Sequence, residues 1–179
     1  MRLWATTLLL CAFGTAPLHA QEAPNQFDPP TRTRDYGVAL FDPYSWGNVA
    51  ASTLLDQIGD NPETWGFGDR ALSNAGRFVI EVSVYHGVAA MQGRSTAYFP
   101  CECIGIPNRT VHAFAQAFTD YDRDGVAHVS AARIGAPYGS AFAEALWRPD
   151  VSLMDALQAG SSSIIFTGLF NIAREFIQQ

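Results

Sequence analysis

Ala131, Gly135, Gly139 and Ala143 stand four residues apart in a stretch whose apolar spacing predicts a helix, so one face of that helix carries almost no side chain. Ala156, Gly160, Ser163 and Gly168 continue the theme further along. A helical glycine costs roughly 1 kcal/mol relative to alanine, so two inside one helix imply a compensating gain. The gain expected is close backbone approach between paired helices, in a small-residue (Gly/Ala) seam. Pro137, between the two glycines, is expected to kink or open the helix locally.

Such spacing also occurs in membrane helix pairs, and Ala156 to Ala173 holds no charged side chain. The same span contains Gln158, three serines, Thr167 and Asn171, while neighbouring helices carry Glu81, Arg133 and Glu144. Charges at a bilayer centre cost several kcal/mol each. The balance favours a soluble, tightly packed bundle, with membrane association and a membrane-embedded helical protein as the alternative.

Five helices are predicted. Asp42-Pro43 supplies a cap and a first-turn proline, and Val49, Ala50, Thr53, Leu54 and Ile58 repeat at helical spacing over 44–58 until Gly59 to Pro62. Asp69 caps a second helix to Met91. Its β-branched run from Phe78 to Tyr85 competes as a strand, but its length favours helix. Residues 93–105 form a loop, and Pro107-Asn108 starts a third helix through Phe118. Ser130 caps a fourth to Trp147, and Ser152-x-x-Asp155 opens a long fifth to Ile177. The fold class is all-α, a five-helix bundle.

The chain has 179 residues. Arg2, an uncharged apolar stretch from Leu3 to Phe13 and the Leu18-His19-Ala20 tail fit a secretory signal peptide over 1–20. The stretch is well short of the roughly 20 residues that span a bilayer. Cleavage leaves a single domain of about 159 residues, with 21–41, rich in prolines, as an extended leader before a helical domain over 42–179. Export to the periplasm or cell envelope follows. The net charge is −6 and all basic side chains are arginines, a balance that argues against nucleic acid as a partner and against an anionic membrane surface.

Cys11 leaves with the signal peptide, so Cys101 and Cys103 remain in an oxidising compartment. A bridge between them closes a small, strained and redox-labile ring. A reduced pair and an intermolecular disulfide stand beside that reading. With His86 and His112 they also offer a zinc ligand set, although a single residue between cysteines is tighter than the usual two to four. Asp120, Asp122 and Asp124 with Gly125 match the opening half of a calcium loop. Its twelfth position, where a bidentate carboxylate belongs, is Ala131, and the competing reading is a solvated acidic turn.

Catalytic signatures are scarce. No Gly-x-Ser-x-Gly elbow occurs, and Ser161 to Ser163 lies within a predicted helix. Arg77 and Glu81 lie one helical turn apart and suggest an ion pair; Glu81 with His86 suggests proton transfer instead, and His112 joins them as a catalytic candidate.

Trp65-Gly66-x-Gly68, Tyr98-Phe99-Pro100-Cys101, Arg109-x-x-His112-Ala113, Asp124-Gly125, Trp147-x-Pro149 and Asn171-x-x-Arg174-Glu175-Phe176, with the small-residue run from Gly135, together resemble an uncharacterised family of exported bacterial envelope proteins. The resemblance implies a periplasmic or envelope protein with paired small-residue helices and brings no activity or catalytic residue. Its members have a simpler Asp-Ser-Gly turn at the acidic loop, which implies that calcium binding is not shared. The leading expectation is therefore a non-enzymatic structural or interaction domain whose partner is another envelope protein or a second copy. The alternative from another class is a metal-dependent enzyme or binder built on His86, His112, Cys101 and Cys103.

Overall fold

A computed structural model describes residues 27–177 and is predominantly helical, with one two-stranded sheet. The expected signal peptide over 1–20 falls outside the described residues. The helices are α1 (Pro29–Phe41), α2 (Pro43–Ile58), α3 (Phe67–Met91), α4 (Ile106–Ala115), α5 (Ala131–Glu144) and α6 (Leu153–Ile177), with β1 (Thr119–Tyr121) and β2 (Ala127–Val129) between α4 and α5. The all-α bundle and its five expected helices are present as α2 to α6.

Side-chain caps explain where α2, α5 and α6 begin. The Asp42 carboxylate accepts the Ser45 N–H at 2.8 Å to start α2, and Ser130 Oγ accepts the Arg133 N–H at 2.9 Å to start α5. Ser152 and Asp155 exchange side-chain to backbone bonds in both directions at the head of α6, as the capping box requires.

The extended leader is corrected in its second half, because 29–41 form α1. Pro29 and Pro30 occupy its first positions, where proline's fixed φ suits a helix and its missing N–H has no partner to lose. Tyr36 Oη then bonds Ser83 Oγ at 2.9 Å and ties α1 to α3. The acidic turn is also more ordered than expected. β1 and β2 pair antiparallel, with Asp120 opposite His128, and Gly125 takes a φ of +74° at the tip.

The core is inverted in composition. Its buried apolar residues are mostly alanines, namely Ala89, Ala113, Ala117, Ala132, Ala136, Ala141 and Ala156. Arg70, Gln116, Asp120, Ser140, Glu144, Arg148 and Glu175 are buried among them. Many large apolar side chains point outward, Phe166 at 69 % exposure and Leu169 at 52 % among them, although Tyr121 and Ile164 are buried.

The seam is corrected in its phase. α5 buries Ala132, Ala136, Ser140 and Glu144, one residue over from the expected stripe, and a Cβ on Gly135 or Gly139 would meet nothing within 4 Å. Ser73, Arg77 and Glu81 on α3 are polar partners of Ser140 and Glu144, and these interactions set the rotation of α5 where the glycine spacing did not. On α6 the close approach is real, but a ring fills it where backbone was expected. A Cβ on Gly160 would lie 2.4 Å from the Tyr138 ring, and one on Gly168 would lie 2.5 Å from the Phe114 ring.

The two glycine pairs therefore predict opposite signs. Gly160→Ala and Gly168→Ala each lower stability by about 1–3 kcal/mol through overpacking. Gly135→Ala and Gly139→Ala each raise it by about 0.5–1 kcal/mol. Urea unfolding of the four variants checks this. The ring-in-notch account fails if the first pair is neutral.

Candidate functional site

The sequence-predicted site residues separate into distinct places. Arg77 does not pair with Glu81 as expected but reaches across to Glu144 at 3.2 Å on α5. Glu81 instead accepts the hydroxyls of Ser140 and Ser163, each at 3.2 Å, and so links α3 to α5 and α6. His86, five residues further along α3, faces α1, where it meets the Tyr36 ring edge-on at 5.6 Å. Glu81 and His86 thus serve different contacts and form no acid–imidazole pair.

His86 lines a cavity of about 300 Å³ together with Arg32, Tyr36, Ser83 and Arg94. Burial pushes its imidazole below the ordinary value, Arg32 adds to this, and Asp35 opposes it. His86 is therefore not joined to the cysteines.

The three aspartates of the acidic loop do not form a calcium cage. Asp122 Oδ1 accepts the backbone N–H groups of Asp124 and Val126 at 3.0 and 2.9 Å, which closes the turn, and Oδ2 lies 2.7 Å from His128 Nε2. Burial works against its charge, but those bonds outweigh it and hold the carboxyl below the usual range. Asp120 is buried on β1. The Arg94 guanidinium approaches both carboxylates, 3.8 Å from Asp120 and 3.3 Å from Asp122, and occupies the cationic role that a calcium ion would take.

The cysteine loop is better assembled. It runs from Ala97 into the first turn of α4 and is clamped onto the end of α6 by Glu175, which is 2 % exposed. The Glu175 carboxylate accepts the Tyr98 hydroxyl at 2.5 Å, the Cys101 N–H at 3.2 Å and Arg109 Nε at 3.2 Å, while Arg109 Nη2 also donates to the Glu175 carbonyl at 2.6 Å. Burial alone would raise its pKa, yet these donors together hold it below the ordinary carboxylate value. The Tyr98 hydroxyl is pushed far above its ordinary value by burial and by the bond to that anion.

Gln116 holds the loop from the other side, its amide oxygen accepting the Phe99 N–H at 3.0 Å and its amide nitrogen donating to the Phe99 carbonyl. His112 Nε2 lies 3.0 Å from the same carbonyl. Cys101 and Cys103 are joined as a disulfide, with Cα atoms 5.1 Å apart, and the Cys103 N–H donates to Cys101 Sγ at 3.2 Å. Ligand atoms of Cys101, Cys103 and His112 all lie within 4.8 Å of one another. The expected group of four thus reduces to three, with His86 elsewhere.

Glu175 and Gln116 escaped the reading of the sequence as site residues. For Glu175 a signal existed. Ala156, Gly160, Ile164, Gly168, Asn171 and Glu175 follow one another at helical spacing, so the buried stripe of α6 leads directly to it. No protein-family model, curated protein or solved structure matches the chain.

Proposed function

We propose that the chain is an exported envelope protein whose helical body is a non-enzymatic interaction domain, and that its partner is a second copy of itself. The family its motifs resemble agrees with the location. The observation that carries the reading is the inside-out placement of side chains. Monomers scatter apolar residues over their surfaces, but contiguous apolar faces mark interaction sites.

α6 is the clearest case. Its inner stripe is small or polar, while Leu153, Leu157, Ile165, Phe166, Leu169 and Phe170 are exposed on the other sides. A 25-residue helix is about 37 Å long, enough for two such faces to bury an interface of ordinary size, about 1,600 Å². The run from Ala156 to Ala173 carries no charge, so two copies bring no like charges together there. No helix among the described residues is long and apolar enough to cross a membrane.

Sedimentation equilibrium over a concentration series tests this. The expected result is a dimer or larger assembly that Phe166→Glu with Leu169→Glu weakens by about a hundredfold, near 2.7 kcal/mol, with unchanged circular dichroism. A monomer at every concentration, or assembly indifferent to both changes, ends the proposal. Capture by lipid vesicles without self-association would replace the second copy with a membrane surface.

A further inference from the structure

Cys101, Cys103 and His112 are the group of three or more metal-ligating side chains whose donor atoms converge among the described residues. We propose that, with its two cysteines reduced, this group binds one Cu(I) ion. The inference is independent of the apolar face of α6.

The donor set decides the metal. Thiolates favour soft cations, chiefly Cu(I) and zinc. A structural zinc site takes four protein ligands. Here three donors share one 4.8 Å neighbourhood, and no further histidine, cysteine or carboxylate of the described residues joins them. Glu175 is already engaged by Tyr98, Arg109 and the Cys101 N–H. Two thiolates and an imidazole complete the shell of a monovalent d¹⁰ ion, whereas zinc on the same three donors needs a water in its fourth position.

The surroundings of His112 suit a ligand. A metal-binding imidazole nearly always donates its other ring N–H to a carbonyl or carboxylate, which fixes the tautomer. A metal on Nδ1 requires the tautomer with the hydrogen on Nε2, and Nε2 lies 3.0 Å from the Phe99 carbonyl, an acceptor for that hydrogen. Gln116 packs against the same nitrogen at 2.7 Å and bonds both backbone groups of Phe99, two residues before Cys101. Cys103 lies just before the first turn of α4, whose free N–H groups favour negative charge, and Arg109 stands one turn in. Both moderate the net negative charge of a dithiolate with one Cu(I).

The disulfide must be opened first. A dithiol passes two electrons and two protons to the bridge and becomes a disulfide itself, leaving Cys101 and Cys103 as thiols. Cu(I) then displaces both thiol protons to solvent, and copper does not change oxidation state.

The full chain, reduced with a phosphine under argon, is titrated with Cu(I) held by a colorimetric competitor, with Zn(II) and a zinc dye in parallel. The expected result is one Cu(I) per reduced chain, an ultraviolet thiolate-to-copper charge-transfer band, and retention in equimolar zinc. The unreduced chain takes up none. Cys103→Ser weakens binding by about a hundredfold or more with unchanged circular dichroism, whereas Glu102→Gln leaves it intact. The site is refuted by a reduced chain without stoichiometric Cu(I), by binding undiminished in Cys103→Ser, or by zinc displacing the copper.

Discussion

Replacing Arg148 by alanine is expected to destabilise the protein by about 4 kcal/mol, more than any single surface change. Arg148 is 7 % exposed and sits where three segments meet. Its guanidinium lies 3.1 Å from Glu144, 3.4 Å from Asp56 on α2 and 3.2 Å from Asp150, and donates to the Asn61 carbonyl at 3.3 Å. Removing it leaves Glu144 buried with only Arg77 and the Ser73 hydroxyl, and frees the end of α2 from the end of α5. A buried carboxylate that loses one of its two guanidinium partners is the costly outcome, because its desolvation is then only partly offset. Glu144→Ala is expected to cost less, about 3 kcal/mol, since Arg148 keeps Asp56 and Asp150 while Arg77, a quarter exposed, turns toward water. Arg148→Lys does not rescue, because a single ammonium cannot reach a carboxylate on each side and a carbonyl together. In a domain of this size the Arg148→Ala loss is a fall of about 8–16 °C in Tm, measurable by calorimetry. A fall of under about 2 °C would show that the network contributes little.

The burial of Arg148 and Glu144 also marks where sequence reading stops. The existence and type of α2 to α6 were legible, because Ser130, Ser152 with Asp155, and Asp42 with Pro43 are local signals whose partners lie within four residues, whereas α1 was read as an extended leader. The run from Phe78 to Tyr85 folds as helix despite its β-branched residues, as its length implied. Rotation of each helix about its axis was not legible. In most globular proteins the large apolar stripe faces inward and reveals the phase, but here alanine, serine and charged residues make up much of the interior and many large apolar residues face out. The glycine spacing in α5 therefore pointed one residue away from the buried face. Charge pairing failed for the same reason: Arg77 and Glu81 look like one turn of a helix surface, whereas each answers a partner on another helix. At the candidate site, Cys101, Cys103 and His112 were legible as a zinc ligand set together with His86, but only the fold places His86 elsewhere, facing α1.

Glu175→Gln is expected to remove about 2–4 kcal/mol at neutral pH, and the loss should vanish in acid. Glu175 is fully buried at its side chain and fixes three things at once: Tyr98, the backbone at Cys101 and Arg109. Its donors hold the folded carboxyl below the ordinary value, so the native state binds this proton less readily than the unfolded chain does. The contribution to stability is then complete above the unfolded pKa of about 4.3 and is lost as pH falls through the lower, folded value. Asp122 and Asp155 are also held below their ordinary values, so the wild type loses stability in acid for more than one reason. They are common to both proteins and cancel in the difference between wild type and Glu175→Gln. That difference, followed by urea unfolding from pH 7 down to pH 3, should shrink once the medium drops below about pH 4. A difference constant over the whole range would mean that the glutamine disturbs packing and that the charge on Glu175 is not what holds the cysteine loop to α6.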